Sequence, residues 1–187
     1  MDDLLQGRTR LLLTDYILSC AREPGTPEPP PTSVEAAMLR SVTRQIQQKH
    51  RGFFSSFRDY QGNRPELVKQ LVGKFFSNDQ DLTWDRLAAL LAFAGTVVTQ
   101  SPCRTIKQRR DLRSRLLVDQ DCYLTVNLLY NLLMGRYRSW LEAHGGWDGF
   151  CRFFRNPLPP DFWRRLLIWG FLSCLFPTAI FYIWKHL

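Results

Sequence analysis

Residue patterns that support enzyme catalysis are scarce in this sequence. His50, His144 and the cysteines are not spaced as metal ligands usually are. The chain also lacks a glycine-rich phosphate loop, a nucleophile elbow and a paired carboxylate arrangement. We therefore expect a protein that is not an enzyme and that needs neither a metal ion nor a cofactor.

Cysteine is present but shows no pairing pattern. The 5 cysteines are widely separated and odd in number, and the N-terminal segment does not resemble a cleavable secretory signal. They are Cys20, Cys103, Cys122, Cys151 and Cys174. This usage predicts a reducing, cytosolic compartment rather than a disulfide-bonded secreted protein.

Acidic residues are outnumbered by basic ones. The chain has 17 Asp and Glu against 25 Lys and Arg, which gives a formal net charge of +8. A cationic surface attracts nucleic acid, anionic lipid and acidic proteins alike, so charge alone selects no partner. The densest basic stretch, residues 104–115, has Asp111 as its one acidic residue. We interpret this stretch as a linker or a solvated helix face and expect no nucleic-acid partner.

Apolar residues recur at helical spacing near the start of the chain. Residues 4–20 place most of their leucines on one broad face, which predicts a first amphipathic helix. The proline-rich stretch 23–31 ends that pattern, because proline cannot continue a helix. We expect residues 21–33 to form a flexible connector.

Helix start signals follow the connector. Thr32 and Glu35 are spaced as a capping box, which predicts a second helix that ends near His50. Asn63 can cap a third helix, and Pro65 is tolerated in the first turn of a helix. These signals place short turns between several consecutive helices.

Residues 84–98 are apolar on nearly every side, unlike the amphipathic segments elsewhere. A helix of this kind is stable in water only when other helices surround it. We therefore predict an all-α fold for residues 1–160, a helical bundle built around this central hydrophobic helix.

Residues 166–184 form an uncharged run that is long enough to cross about 30 Å of hydrocarbon. Arg164 and Arg165 precede the run, and Lys185 and His186 follow it. We predict a C-terminal transmembrane anchor that holds the bundle on the cytosolic face of an intracellular membrane. The other interpretation is a buried core helix of a soluble bundle, which is usually shorter than this run.

Residues 140–150 read WLEAHGGWDGF, in which two glycines allow a tight turn and an aspartate follows near a helix start. The segment resembles the second homology region of the B-cell lymphoma-2 (Bcl-2) family of apoptosis regulators. The residues that match are Gly145, Gly146, Trp147 and Asp148. This is the most specific of three segments that together resemble the family.

Residues 83–95, TWDRLAALLAFAG, are similar to the first homology region of the same family. The matching residues are Trp84, Arg86, Phe93 and Gly95. The resemblance implies that Arg86 pairs with an aspartate on an incoming partner helix. Without it, a surface ion pair to Asp81 or Asp85 would be the commoner role for this arginine. Asp85 stands where the family has a glycine, so we expect a bulky anion at the groove rim that crowds the partner helix and repels its aspartate.

Residues 39–54 resemble the family's death-motif helix, which pro-apoptotic members insert into a partner. The residues that fit are Leu39, Arg40, Ile46 and Phe54. The expected Gly-Asp pair is Thr43-Arg44 in this chain, which reverses a charge. Such a helix is a poor ligand for another member's arginine, so we expect this chain to receive a partner helix.

The resemblance implies a hydrophobic groove, formed by the second to the fifth helices, that holds a partner's amphipathic death-motif (BH3-type) helix. The predicted lining of this candidate groove is Phe54, Leu71, Val72, Phe75, Arg86, Ala89 and Phe93. We expect structural roles for Trp84, Gly95, Gly145, Gly146, Trp147 and Asp148. The function implied is that of a pro-survival regulator that sequesters pro-apoptotic members of the family.

Two other functions are compatible with the same sequence. A pro-apoptotic member would insert its central apolar helix into lipid and permeabilise the membrane. A tail-anchored scaffold would be recognised through its basic residues 104–115. The sequence leaves open the outcome of survival or death, the oligomeric state, and the choice between the mitochondrial outer membrane and the endoplasmic reticulum.

Overall fold

The computed structural model describes residues 2–23, 25–58, 60, 62–76, 82–99 and 112–155. These residues form helices and, within those ranges, no strand, so the all-α prediction is confirmed. The helices are α1 (Asp2–Ala21), α2 (Val34–Lys49), α3 (Arg51–Ser55), α4 (Arg64–Phe75), α5 (Trp84–Val98), α6 (Leu112–Asn131), α7 (Arg138–Ala143) and α8 (Gly146–Arg155). A π-helical turn, Leu132–Arg136, continues α6.

Helix α5 occupies the centre of the bundle, where it packs against α1, α2, α4 and α6. Every residue of α5 is buried except Arg86, which is half-buried. An all-round apolar helix buries its whole circumference, and the gain from removing that area from water holds the bundle together. The predicted central helix is therefore confirmed.

The helix starts follow the capping signals of the sequence, with one correction. Ser33, not Thr32, caps α2, because the Ser33 hydroxyl oxygen accepts a hydrogen bond from the Ala36 backbone N–H at 3.1 Å. The carboxamide oxygen of Asn63 accepts from the backbone N–H of Glu66 at 3.0 Å, so the predicted cap of α4 is confirmed. Two adjacent hydroxyl residues cannot be distinguished as caps by spacing alone.

Helices α1 and α5 approach closely at Gly95. The Tyr16 hydroxyl donates a hydrogen bond to the Leu91 carbonyl oxygen at 3.0 Å. A Cβ atom on Gly95 would overlap that hydroxyl and would lie 2.8 Å from the sulfur of Cys20. The bare backbone of Gly95 is therefore what lets the α1 side chains seat against the central helix.

The connector between α1 and α2 is held by arginines of α2. Arg40 is buried and donates to Asp15 of α1 through Nε at 3.0 Å and Nη2 at 2.8 Å, and to the Pro29 carbonyl oxygen at 2.7 Å. Arg44, the charge reversal in the death-motif segment, contacts the Glu28 carboxylate at 2.8 Å. The positive charge of Arg44 therefore has a partner within the chain, Glu28 of the connector. The flexibility of the connector stays a prediction.

The predicted membrane anchor, residues 166–184, lies outside the described residues, and so do residues 104–111 of the basic stretch. Among the helices that the structure does describe, none has the combination of length and apolar character needed to span a bilayer.

Candidate functional site

The central helix supplies one wall of the candidate groove. Ala89 and Phe93 are four residues apart and so lie along one side of α5. Both are buried, with 3% and 1% of their surface exposed. Arg86 lies at the N-terminal end of the same helix and is the one α5 residue that reaches solvent. The helix therefore combines an apolar surface with a single cation.

Aromatic residues of α3 and of the turn that follows it cover this surface of α5. The rings of Phe57 and Phe93 lie edge to face with centroids 5.1 Å apart. Phe53 contacts both Phe54 and Phe57 at centroid distances of 5.1 Å. Phe53 and Phe57 are only partly buried and were absent from the predicted lining. Their signal in the sequence is the four-residue spacing that continues the apolar face past the end of α2.

Helix α4 contributes the remaining predicted residues. Leu71 is 9% exposed, and Val72 is half-buried and packs against the core. Phe75 is the last residue of α4, and its side chain lies outside the described part of the structure. The structure thus brings α3, α4 and α5 residues of the candidate groove to one side of the bundle.

The candidate groove is closed by its own side chains in this structure. Phe54, Leu71, Ala89 and Phe93 each have at most 9% of their surface exposed, so they belong to the core. The turn after α3 covers part of this surface through the contact of Phe57 with Phe93. Helix α3 has five residues, and its N-cap residue, His50, makes no side-chain capping hydrogen bond. Short segments with few stabilising contacts open at a lower free energy than the long helices of a core.

Asp85 lies inside the protein, which corrects its predicted place at an open rim. Its residue surface is 3% exposed, and its Oδ1 atom has no hydrogen-bond partner among the described residues. Burial raises the pKa of this carboxyl to about 6, and a hydrogen bond from its own backbone amide offsets only part of that rise. A carboxylate and a half-buried guanidinium therefore occupy neighbouring positions at the start of α5.

The start of α5 is fixed by the aromatic residues of α7 and α8. The ring of Trp84 lies 4.7 Å from that of Trp140 and 5.8 Å from that of Phe150. Trp84 and Phe150 are buried at 6% and 0% exposure. This contact joins the two homology segments in the folded protein, although they are far apart in the sequence.

The paired glycines form the turn into α8. Gly145 and Gly146 have φ angles of +80° and +57°, which side chains rarely adopt. Gly149 is a third glycine that the sequence interpretation missed. A Cβ atom there would overlap the His144 carbonyl oxygen, so no other residue fits without a shift of the backbone. The segment GGWDG indicates this third glycine in the sequence, because Gly149 lies about one turn into α8.

Trp147 and Asp148 attach α8 to α1. The indole N–H of Trp147 donates to the Thr9 hydroxyl oxygen at 2.9 Å, and both residues are buried. Asp148 accepts a hydrogen bond from Arg8 at 3.1 Å, and this bond lowers the pKa of the exposed Asp148 carboxyl. These residues therefore position structural elements and do not line the candidate groove.

A cavity of about 500 Å³ lies elsewhere, between α1, the connector and the start of α2. Its apolar lining includes Leu11, Leu18 and Trp147. The cavity is remote from Phe93 and from the aromatic residues of α3, so it is not the candidate groove.

The cysteines in the described part of the chain are thiols held in apolar surroundings. Burial raises the pKa of Cys20 to about 11 and that of Cys122 to about 12, so neither is an activated nucleophile at neutral pH. Across the described ranges, His, Cys, Asp and Glu side chains form no group of three that could bind a metal ion.

These features define a class of protein: an all-α bundle with a buried apolar central helix whose first turn carries one half-buried arginine. The family model described as "Apoptosis regulator proteins, Bcl-2 family" matches residues 39–147, which is more than half of the chain. The chain belongs to the Bcl-2 family of apoptosis regulators.

Curated relatives agree with this assignment. The chain is 70% identical to Bcl-2-like protein 10 of Rattus norvegicus, with all of both chains covered. It is 34% identical to anti-apoptotic protein NR13 of Coturnix japonica, over 82% of this chain and 80% of that protein.

Solved structures have the same fold. The solution structure of a divergent Bcl-2 protein has a TM-score of 0.68 and 67% identity, and covers 83% of this chain and 92% of that one. The crystal structure of the zebrafish pro-survival protein NRZ in complex with the Bad BH3 segment has a TM-score of 0.58 and 26% identity. That match covers 82% of this chain and 97% of the NRZ chain.

Proposed function

We propose that this protein is a pro-survival regulator that binds the BH3-type helix of pro-apoptotic family members in the candidate groove. The observation that carries the proposal is the burial of every α5 residue except Arg86. A partly solvated guanidinium at the start of a buried apolar helix suits an amphipathic helix that has one acidic residue next to its apolar face. The complex of the pro-survival relative NRZ with a Bad BH3 segment supports the same role.

Binding would proceed by exchange of internal contacts for contacts with the partner. Displacement of α3 and the turn that follows it would separate Phe57 from Phe93 and expose the apolar side of α5. Each large apolar anchor of the partner contributes about 1.5–3 kcal/mol when it is buried there. Part of that gain offsets the lost contacts of α3 and the entropy of association, so the net affinity is well below the sum of the anchors. Arg86 then fixes the register by pairing with the partner's aspartate.

Arg86→Ala tests this mechanism directly. We expect the variant to bind a Bad BH3 peptide at least tenfold more weakly than the native chain, because a charge-assisted hydrogen bond is lost at a partly desolvated site. Isothermal titration calorimetry measures the difference. Arg10→Ala is the matched control, since Arg10 stacks on Tyr130 at 4.2 Å and bonds to Asn127 between α1 and α6.

Equal affinities of Arg86→Ala and the native chain would remove Arg86 from the mechanism. If the native chain binds no BH3 peptide, sequestration is wrong. Dye release from liposomes by the purified full chain would then favour the membrane-permeabilising alternative.

The proposed site of action is the cytosolic face of the mitochondrial outer membrane or the endoplasmic reticulum, with residues 166–184 as the anchor. The uncharged run and its basic flanks support this proposal. We expect a fluorescent fusion of the full chain to remain with membranes after carbonate extraction, and the same fusion without residues 166–187 to become extractable. Extraction of both fusions would contradict the anchor, and co-staining of the two organelles identifies the membrane.

A further inference from the structure

Asp85 is a buried acidic residue whose carboxyl group is not fully hydrogen-bonded by the described residues. Among the described residues, the charged side chains in the core include those of Arg40, Asp15 and Asp85. Arg40 is fully engaged by Asp15 and by the connector. The Oδ1 atom of Asp85 has no hydrogen-bond partner in the described part of the chain, although only 3% of the residue is exposed. Buried acceptors in native proteins are nearly always paired, so this oxygen indicates a missing donor.

The position of Asp85 relates the missing donor to the candidate groove. Asp85, Ala89 and Phe93 follow one another at intervals of four residues and so form one stripe along α5. Phe93 is the residue of that stripe that Phe57, in the turn after α3, covers. Arg86 follows Asp85 in the chain and is the half-buried residue of α5. A partner helix that lies along this stripe in place of Phe57 would meet Asp85 and Arg86 at the same end.

We propose that the partner helix of the candidate groove carries a hydrogen-bond donor, a Lys, Arg, Asn or Gln side chain, that bonds to Asp85 while its acidic residue pairs with Arg86. The inference rests on the proposed function and names the chemistry of the partner that it requires. The charges on α5 are complementary to a helix with one acidic and one donor residue, and repel a helix with acidic residues alone.

The spacing of the two partner residues follows from the geometry of α5. The Cα atoms of consecutive residues such as Asp85 and Arg86 are about 3.8 Å apart. One turn of the partner helix rises about 5.4 Å. The donor therefore lies within about one turn of the partner's acidic residue. Partners with an apolar or acidic residue at that place leave the Asp85 oxygen unpaired and bind more weakly.

The test uses the full chain and a Bad BH3 peptide series in which each position within four residues of the aspartate is changed singly to Lys or to norleucine. Norleucine keeps the apolar stem of lysine and lacks its donors. We expect one position at which the Lys peptide binds the native chain about tenfold more tightly than the norleucine peptide. In Asp85→Ala, which removes the acceptor, this preference should fall below about twofold.

Two controls separate this result from other causes. Asp119→Asn changes an exposed aspartate of α6 and should keep the full preference for Lys. Asp85→Asn keeps the shape of the side chain, so reduced preference in a variant with a native circular dichroism spectrum cannot come from unfolding.

The outcomes distinguish this inference from the function on which it rests. Equal binding of the Lys and norleucine peptides to the native chain at every position overturns the inference and leaves groove binding intact. An equal preference for Lys in the native chain and in Asp85→Ala overturns it too, because the donor then bonds elsewhere. If no peptide of the series binds the native chain, the proposed function itself is wrong.

Discussion

Asp85 and Arg86 are adjacent in the chain, yet their surroundings differ because consecutive helix positions point about 100° apart. The Asp85 side faces the interior, where burial raises the pKa of its carboxyl to about 6. The Arg86 side is half-buried and keeps contact with water. At the scale of the residue, these two neighbouring charges therefore differ in environment. The carboxyl group of Asp85 is buried, and the guanidinium of Arg86 is partly solvated.

The raised pKa of Asp85 makes stability depend on pH. The unfolded chain releases the proton near pH 4, whereas the folded chain retains it until about pH 6. Stability is therefore lost as pH rises through this window and is constant above it. We expect Asp85→Asn to be more stable than the native chain by about 2 kcal/mol at pH 7.5, with a difference that shrinks toward pH 4. Urea denaturation across this range measures the difference.

Asp148→Asn is the control, because its effect on stability should depend on pH in the opposite direction. The Arg8 guanidinium lowers the pKa of the Asp148 carboxyl, so its contribution is present above pH 4 and is lost as pH falls. The Asp148 variant should be the less stable protein at pH 7.5. A pH-independent gain in Asp85→Asn would contradict the burial of an ionisable group at that position.

At the scale of the element, the packing of α1 on α5 depends on a single glycine. Gly95→Ala adds a methyl group where the Tyr16 hydroxyl and Cys20 sulfur already lie. We expect the variant to lose about 1–3 kcal/mol of unfolding free energy, because the two helices must move apart. Chemical denaturation followed by circular dichroism measures the loss.

Gly73→Ala is the matched control in a neighbouring helix. Gly73 lies in α4, and a Cβ atom there meets nothing within 4 Å. This substitution should be neutral or stabilising by about 0.5–1 kcal/mol, since alanine is the better helix former. Equal effects of the two substitutions would mean that α1 does not approach α5 as closely as described.

At the scale of the whole molecule, α1 is held to the bundle by its side chains rather than by the connector. Leu13, Tyr16 and Ile17 are 0–2% exposed, and α1 also bonds to α8 through Thr9 and Trp147. The packing of these α1 side chains in the core should persist when the connector is cut, because burial of apolar surface does not require an intact chain.

Cleavage of the connector tests this arrangement. A protease site inserted after Gly25, which lies in an exposed turn, would separate α1 from α2. We expect the two fragments to co-elute in size-exclusion chromatography at micromolar concentration. The same cut in Tyr16→Ala should release the first fragment, since that variant loses a fully buried ring. Separate elution of the native fragments would show that the connector is needed to retain α1.

Local patterns account for much of the agreement between sequence and structure. The all-round apolar character of residues 84–98 determines the central helix, and the paired glycines before Trp147 determine a turn. The resemblance at Thr83 to Gly95 and at Trp140 to Phe150 placed both homology segments on helices that meet in the core. The predicted N-cap of α2, Thr32, was wrong by one residue, because Thr32 and Ser33 have the same capping chemistry.

The sequence by itself determined the all-α class, the central helix and the family, since these depend on residue spacing along the chain. Tertiary structure alone decided that Phe54, Leu71, Ala89 and Phe93 lie in the core and that Asp85 is buried without a partner for Oδ1. The physical reason is that burial depends on contacts between residues far apart in the chain. A periodic pattern shows which face of a helix is apolar, but not which neighbour covers it.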